Sequence, residues 1–197
     1  MKIAMVVAHP DDEIFWGGGL PLRYPGDWTI ISCSTPVYEP RRLEEFKRAC
    51  AALGAKSVMY PEQDISKKTP LKHLQDINLD AFDHIVTHNK WGEYGHPHHK
   101  QIHQYISSRY EHKPITTFGF SLRGISIFGR RWQGRGKHQI TLSGAELEHK
   151  TAALKEYNCL VKHGNSERPL WEELTENYCG KKGLSFSVET YDGAWFD

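Results

Sequence analysis

The first half of the chain alternates two hydrophobic patterns. Residues 2–8, KIAMVVA, form a short unbroken apolar run, the pattern of a parallel strand buried on both faces. WTIISCS (28–34), KSVMY (56–60) and HIVTH (84–88) repeat it. Between these runs the apolar period lengthens to that of a helix. PRRLEEFKRACAALG (40–54) carries Leu43, Phe46, Cys50 and Leu53 on one stripe and stops at a glycine. A helix is expected from Asp12, where acids favour the first turn, to a stop near Gly17 to Pro21. Residues 97–111 read as another, with Pro97 at its first position, and a weaker helical pattern covers roughly 70–80. Strand following helix in this way predicts an α/β protein: one Rossmann-like domain over 1–197 with a mostly parallel, doubly wound sheet.

The second half is less regular. ITTFGFS (115–121) is a candidate fifth strand, and VETY (188–191) a final one. LRGISIFGRRWQGRG (122–136), glycine-rich and basic, reads as a loop or irregular hairpin. GAELEHKTAALKEYNCLV (144–161) reads as a helix. No internal repeat, low-complexity tract or domain linker interrupts the chain.

Composition narrows the function classes. The 197 residues suffice for an ample core, and 39% hydrophobic with 25% charged residues is ordinary for a globular protein. A formal net charge of +1 supplies no field toward nucleic acid or a membrane surface. No apolar stretch approaches the ~20 residues of a membrane helix. The N-terminal run ends in charge and lacks a signal-peptide cleavage site. Cys33, Cys50, Cys159 and Cys179 form no C-x-x-C pair and read as reduced thiols, so a cytoplasmic protein is expected. Histidine is the outlier, with 12 copies.

Five of those histidines crowd into HNKWGEYGHPHHKQIH (88–103), and VVAHPDDE (6–13) adds another beside three acids. In open α/β sheets, sites form beyond the carboxyl ends of the strands. HPDDE lies at that end of the first predicted strand, His88 and its loop at that end of the fourth, so both segments are expected on one sheet edge. His9 and Asp12 stand three apart across a strand-to-helix turn and can face one point. His96, His99 and His103 share a helix face. Histidine and carboxylate ligands with one open position suit a catalytic zinc, which acidifies bound water and polarises a carbonyl. Taken singly, HPDD is more often a helix N-cap and one His-x-x-His a coincidence on a polar face. Their joint placement on one edge reverses that balance.

AHPDDE (8–13), T-H-N (87–89) and YGHPxH (94–99), with Arg42, Glu45, Ala49, Leu53 and Gly54 in R-x-x-E-x-x-x-A-x-x-x-L-G, resemble the PIG-L/LmbE-like zinc-dependent de-N-acetylases. The resemblance is good over 1–103 and thin beyond, where KTAALKEY (150–157) is a looser echo. It implies removal of an acetyl group from an N-acetylglucosamine-type amine or its conjugate. His9, Asp12 and His99 would hold Zn2+, with Fe2+ or another divalent ion as a substitute. Asp11 would be the general base toward zinc-bound water, His96 the general acid toward the leaving amine, and Tyr94 a stabiliser of the oxyanion. Arg42 would lie near the sugar. The residues alone leave open which of Asp11 and Asp12 is the ligand, since adjacent side chains point apart.

One position departs from the family pattern GHPDH: His98 replaces the acid. An acid there favours the protonated form of the catalytic histidine, and His98 does not, so His96 is expected to have a lower pKa than its counterparts. The departure keeps a second reading in view, a carbohydrate-binding pseudoenzyme of the same fold. A third, a nucleotide-binding module, conflicts with the acidity of the HPDD turn. Arg123, Arg130, Arg131, Arg135 and Lys137 read first as a solvated loop and second as a lip for an anionic substrate part. Trp91, Phe128 and Trp132 read as anchors before sugar platforms. His88 and His103 carry no assigned role. Gly17 to Gly19 lack dinucleotide spacing. The basic, glycine-rich loops leave surface on which copies of the chain could associate.

Overall fold

The computed structural model describes residues 1–34, 41–60, 70–119, 121–125, 131–134, 136–176 and 188–193. The sheet-forming strands of the first half are β1 (Lys2–Val7), β2 (Asp27–Ser32), β3 (Lys56–Met59), β4 (His84–Thr87) and β5 (Ile115–Phe118). All pair in parallel, in the order β3-β2-β1-β4-β5, so this is a Rossmann-like α/β fold. The helices among them are α1 (Asp12–Gly17), α2 (Gly19–Arg23), α3 (Arg42–Ala52) and α4 (Pro97–Arg109).

The strand pattern explains the double winding. Along β1, Ile3, Met5 and Val7 bury into a core shared with Ile14 of α1, Phe46 and Ala49 of α3, and Leu154 further along the chain. Ala4, Val6 and Ala8 point the other way, onto Ile102 and Ile106 of α4. An unbroken apolar run is what a strand covered on both faces needs. Val6 pairs opposite Thr87 between β1 and β4, which sets the following residues, 8–9 and 88, side by side at the carboxyl edge.

The structure departs from the sequence reading in several places. Over 70–80 only one 3-10 turn forms, His73–Asp76. Leu71, Leu74, Ile77 and Leu79 are all buried, but the last interval is two residues, and the chain turns extended at Ile77 to reach it. Of the stripe assigned to α3, Phe46, Cys50 and Leu53 are buried as expected, and only Leu43 is not. Arg42, Glu45, Phe46, Ala49 and Cys50 face inward, whereas Leu43 is 38% exposed.

In the second half, β6 (Ser121–Ile125) and β7 (Arg131–Gly134) make an antiparallel hairpin with an irregularity between Arg123 and Ile125. Arg130, Arg135, Phe128 and Cys179 lie outside the described residues. Strand β8 (His138–Thr141) precedes α5 (Gly144–Lys155), whose start is closed by a reciprocal capping box between Ser143 and Glu146. The helix expected to reach 161 stops at Lys155. Beyond it, β9 (Leu160–His163) and β10 (Ser166–Pro169) pair antiparallel around Gly164, whose φ of 59° suits a glycine. After the short α6 (Leu170–Leu174), β11 (Val188–Gly193) wedges between β5 and β8, antiparallel to both.

That wedge is pinned by a buried ionic cluster. Glu189 of β11 accepts from Lys150 Nζ of α5 at 2.6 Å, from the Gly19 N–H of α2 at 2.8 Å, and from the Tyr191 hydroxyl. A Cβ at Gly19 would come within 2.4 Å of Leu142 Cδ2 and 2.8 Å of Glu189 Oε2, so a larger residue there would push both side chains aside. Among the described residues no helix is long and apolar enough to cross a membrane. Among the described residues, Cys33, Cys50 and Cys159 are buried thiols outside any disulfide.

Candidate metal centre

The two histidine-bearing segments meet. Asp12 opens α1 with its side chain 4% exposed, and one of its carboxylate oxygens, Oδ2, is the meeting point. His9 Nδ1 lies 3.2 Å from Asp12 Oδ2, and His99 Nε2, from the first turn of α4, also lies 3.2 Å from it. Trp16 Nε1 donates to the other oxygen, Oδ1, at 3.0 Å and so holds the carboxylate in one rotation. Burial alone raises the Asp12 pKa, but the imidazoles of His99, His9 and His88 outweigh it and hold the carboxyl well below its usual range.

His88 and Glu93 lie beneath this point, both with no solvent exposure. Glu93 Oε2 meets His99 Nδ1 at 2.5 Å and His88 Nδ1 at 3.0 Å, while Oε1 accepts the Asn89 N–H at 2.9 Å. The His88 ring stacks on His99 at 3.7 Å between centroids, and its Nε2 accepts the Ala8 N–H at 2.9 Å. His103 Nδ1 donates to the His88 carbonyl at 2.9 Å. Burial raises the Glu93 pKa, against the pull of His99, and pushes His88 down to about 4.

Asp11 sits beside the cluster in unusual backbone. Its φ of 121° is rarely adopted by any residue but glycine. Local bonds hold it there. Its N–H donates to Glu13 Oε2 at 2.9 Å, its carbonyl accepts from Ile14 N at 3.0 Å, and Arg42 Nη2 grips its Oδ2 at 3.0 Å. Arg42 in turn lies 5.2 Å over the Tyr157 ring, and the Tyr157 hydroxyl donates to Glu13 Oε1 at 2.5 Å. Burial lifts Glu13 to about 8. Arg42, itself 6% exposed, thus reaches the site by holding Asp11.

The remaining site residues ring the same point. His96 caps α4, with its ring 4.7 Å from those of His9 and His99. Burial first, then the charges of His99 and His9, push it down to about 3; His98 adds the smallest part in the same direction. His98 is 2% exposed, with Nδ1 3.4 Å from His9 Nε2. Tyr94, half-buried, places its ring 5.3 Å from His99 and 5.6 Å from His96. Sequence reasoning gave no role to Glu93, His88, Glu13 or Tyr157. The first two were signalled by their place in the histidine-rich loop; nothing in the spacing announced that Tyr157 returns to the first strand's end.

The cluster fits a divalent cation. His99 Nε2 and His96 Nδ1 are buried without a hydrogen-bond partner, an expensive state unless something binds there. Ligands about 2.1 Å from a tetrahedral ion stand roughly 3.4 Å from one another, close to the 3.2 Å separations around Asp12 Oδ2. Among the described residues, two sets of three ligand atoms lie within 4.8 Å of one another: His9, His96 and His99, and Asp12, His88 and His99. Only His99 belongs to both.

Fold and cluster together define an α/β protein with a buried histidine–carboxylate centre at the carboxyl edge of its sheet. The chain belongs to the PIG-L family: the family described as GlcNAc-PI de-N-acetylase matches residues 4–110. Two curated relatives carry the name 1D-myo-inositol 2-acetamido-2-deoxy-alpha-D-glucopyranoside deacetylase. The one from Actinosynnema mirum is 25% identical over 148 residues, covering 52% of this chain and 52% of its own. The one from Thermobifida fusca is 24% identical over 200 residues, covering 78% of this chain and 66% of its own. The chain thus spans about half to two thirds of the length of these relatives. Among solved structures, the A40926 pseudoaglycone deacetylase Dbv21 superposes with a TM-score of 0.60 at 16% identity, covering 96% of this chain and 95% of the other. The 4-carboxy-2-hydroxymuconate hydratase GalB of Pseudomonas putida KT2440 gives 0.59 at 16%, covering 99% and 97%. The zinc-inhibited form of teicoplanin deacetylase Orf2 gives 0.58 at 12%, covering all of both chains. A hydratase beside deacetylases at equal likeness means the fold does not select the reaction.

Proposed function

We propose that this chain is a metal-dependent amide hydrolase that removes the acetyl group from an N-acetylated amino sugar of the N-acetylglucosamine type, or from a conjugate of one. The observation that carries this reading is the meeting of His9 Nδ1 and His99 Nε2 on Asp12 Oδ2, with His99 Nε2 otherwise unpartnered. The family match and the names of the curated relatives support the choice of substrate class. A cytoplasmic location accords with three buried thiols outside any disulfide among the described residues.

His9, Asp12 and His99 would hold the ion, with zinc the first choice for this donor set and Fe2+ the second. When bound, it supplies positive charge that polarises the acetyl carbonyl and makes water more acidic. The residues around it divide the proton work. Asp11, fixed by Arg42 and not needed as a ligand, takes a proton from the attacking water. His96 faces the same point and gives a proton to the departing nitrogen. Burial depresses His96 toward its neutral form, so the proton it gives is the one that Asp11 takes from the water and hands on, and the balance closes without an outside acid. Tyr94, against His96 and His99, lies where a developing oxyanion can be stabilised.

The test is acetate release from a panel of N-acetylated amino sugars, with metal stripped and restored. Asp11→Asn should lower turnover by ~10²–10⁴-fold while metal content stays the same. Asp12→Ala should lose the metal. Bound metal with no acetate release from any sugar would return the pseudoenzyme reading, which the joint presence of Asp11 and His96 currently argues against.

A further inference from the structure

The buried Glu93 carboxylate has no place in the chemistry above, and neither does His88. Together they determine which nitrogen of His99 carries a proton. An ionised carboxylate can only accept hydrogen bonds. Glu93 Oε2 is shared by His99 Nδ1 and His88 Nδ1, and Oε1 takes the Asn89 N–H. Both imidazoles therefore carry their protons on Nδ1. For His88 the far side agrees independently. Its Nε2 accepts the Ala8 N–H at 2.9 Å, so that nitrogen holds a lone pair and no proton.

Two consequences follow for the set Asp12, His88 and His99, whose ligand atoms lie close enough to hold an ion. The His88 lone pair is already used by the backbone of residue 8, so His88 is no ligand, and this set is not a second metal site. With its Nδ1–H given to Glu93, a neutral His99 has its lone pair on Nε2, the buried atom 3.2 Å from Asp12 Oδ2. The stacking of His88 on His99, 21° from parallel, restricts rotation of the ring as well.

We propose that Glu93, clamped by His88, is the positioning residue that holds His99 in its Nδ1–H tautomer and so presents Nε2 to the metal. This rests on the metal reading of His99 given above. His88 also ties the arrangement to the end of β1, one residue before His9, so the two histidine ligands are held through a single chain of bonds: Ala8 N–H to His88, His88 to Glu93, Glu93 to His99. Carboxylates behind histidine ligands raise ligand basicity and set ring orientation, and losing them weakens metal binding about 10–100-fold.

The experiment has two arms. In the metal-free wild-type chain at mildly alkaline pH, two-bond nitrogen–proton NMR should show His88 and His99 both protonated on Nδ1; either ring in the Nε2–H form overturns the proposal. In Glu93→Gln, whose amide brings two more donors into a site already full of them, His99 should become a mixture of tautomers. Its Zn2+ affinity, read by competition with a coloured chelator, should fall about 10–100-fold. A lowered urea midpoint with tautomer and Zn2+ affinity unchanged marks a merely structural role and overturns it. If the variant does not fold, the wild-type tautomers decide alone. A wild-type chain that binds Zn2+ but releases no acetate defeats the deacetylase reading and leaves this one standing.

Discussion

Arg42 and Asp11 form an ion pair of 3.0 Å, and nearly all of the arginine is buried. The pair explains why α3 turns a charged residue inward and leaves Leu43 at the surface. Replacing Arg42 by Met should therefore act through Asp11. Turnover should fall on the order of 10²-fold, as for a general base displaced by about an ångström. Stability should drop about 1–3 kcal/mol, the cost of an unpaired polar group that is partly exposed. Steady-state kinetics and bound-metal analysis check it: metal content should be unchanged, and full activity in the variant would remove Arg42 from the site's workings.

His98 stands where related sequences have an acid, 3.4 Å from His9 and one side chain away from His96. Its contribution to the depression of His96 is the smallest of those acting, burial being the largest. His98→Asp should still raise the pKa of His96, because a carboxylate favours imidazolium where an imidazole does not. A general acid works below its pKa, so the alkaline limb of the rate profile should move to higher pH. An unmoved limb means burial alone governs His96.

His84 gives a pH effect on stability from the opposite end of β4 to the candidate metal centre. It is buried against Thr116, with Nε2 2.9 Å from the threonine hydroxyl, and burial lowers it from 6.5 to about 4. The unfolded chain therefore binds the proton more readily than the folded one. Stability is complete above pH 6.5 and is lost as pH falls toward 4. His84→Asn should remove on the order of 2 kcal/mol of that pH dependence. Urea unfolding of metal-free protein at neutral and mildly acid pH makes the comparison; parallel losses in both proteins would assign the effect elsewhere.

The Lys150–Glu189 pair should behave as a buried ion pair does. Lys150→Met leaves Glu189 charged and enclosed, costing about 3–5 kcal/mol. Adding Glu189→Gln removes the stranded charge and should recover much of the loss. Chemical unfolding of the three proteins is the measurement. Equal stability of single and double variants would show that Gly19 and Tyr191 satisfy Glu189 unaided.

The first half of the fold was legible because β1, β2 and β4 are buried on both faces and the longer helices on one, and such burial writes itself as period. The second half was not, because its elements depend on distant partners. Leu160 and Val161 continue the apolar pattern of α5, yet they belong to a hairpin whose turn is marked by Gly164 and Asn165. Nothing local distinguishes β11 from any short edge strand, since its place depends on β5 and β8. The same divide runs through the site. That His9, Asp12 and His99 would come together was readable from where the strands end. Glu13 looked like one more acid in a first helical turn, and its contact with Tyr157 spans 144 positions of sequence.

The wedge of β11 bears on how the protein is made. Synthesis delivers the chain from its first residue onward, and the five parallel strands can assemble as they emerge. β8 cannot join them, because the strand that bridges it to β5 begins at Val188. Until that segment leaves the ribosome, Lys150 has no carboxylate and one edge of the sheet stands open. A nascent chain stalled before Val188 should thus be prone to wrong pairing, and truncations there should aggregate.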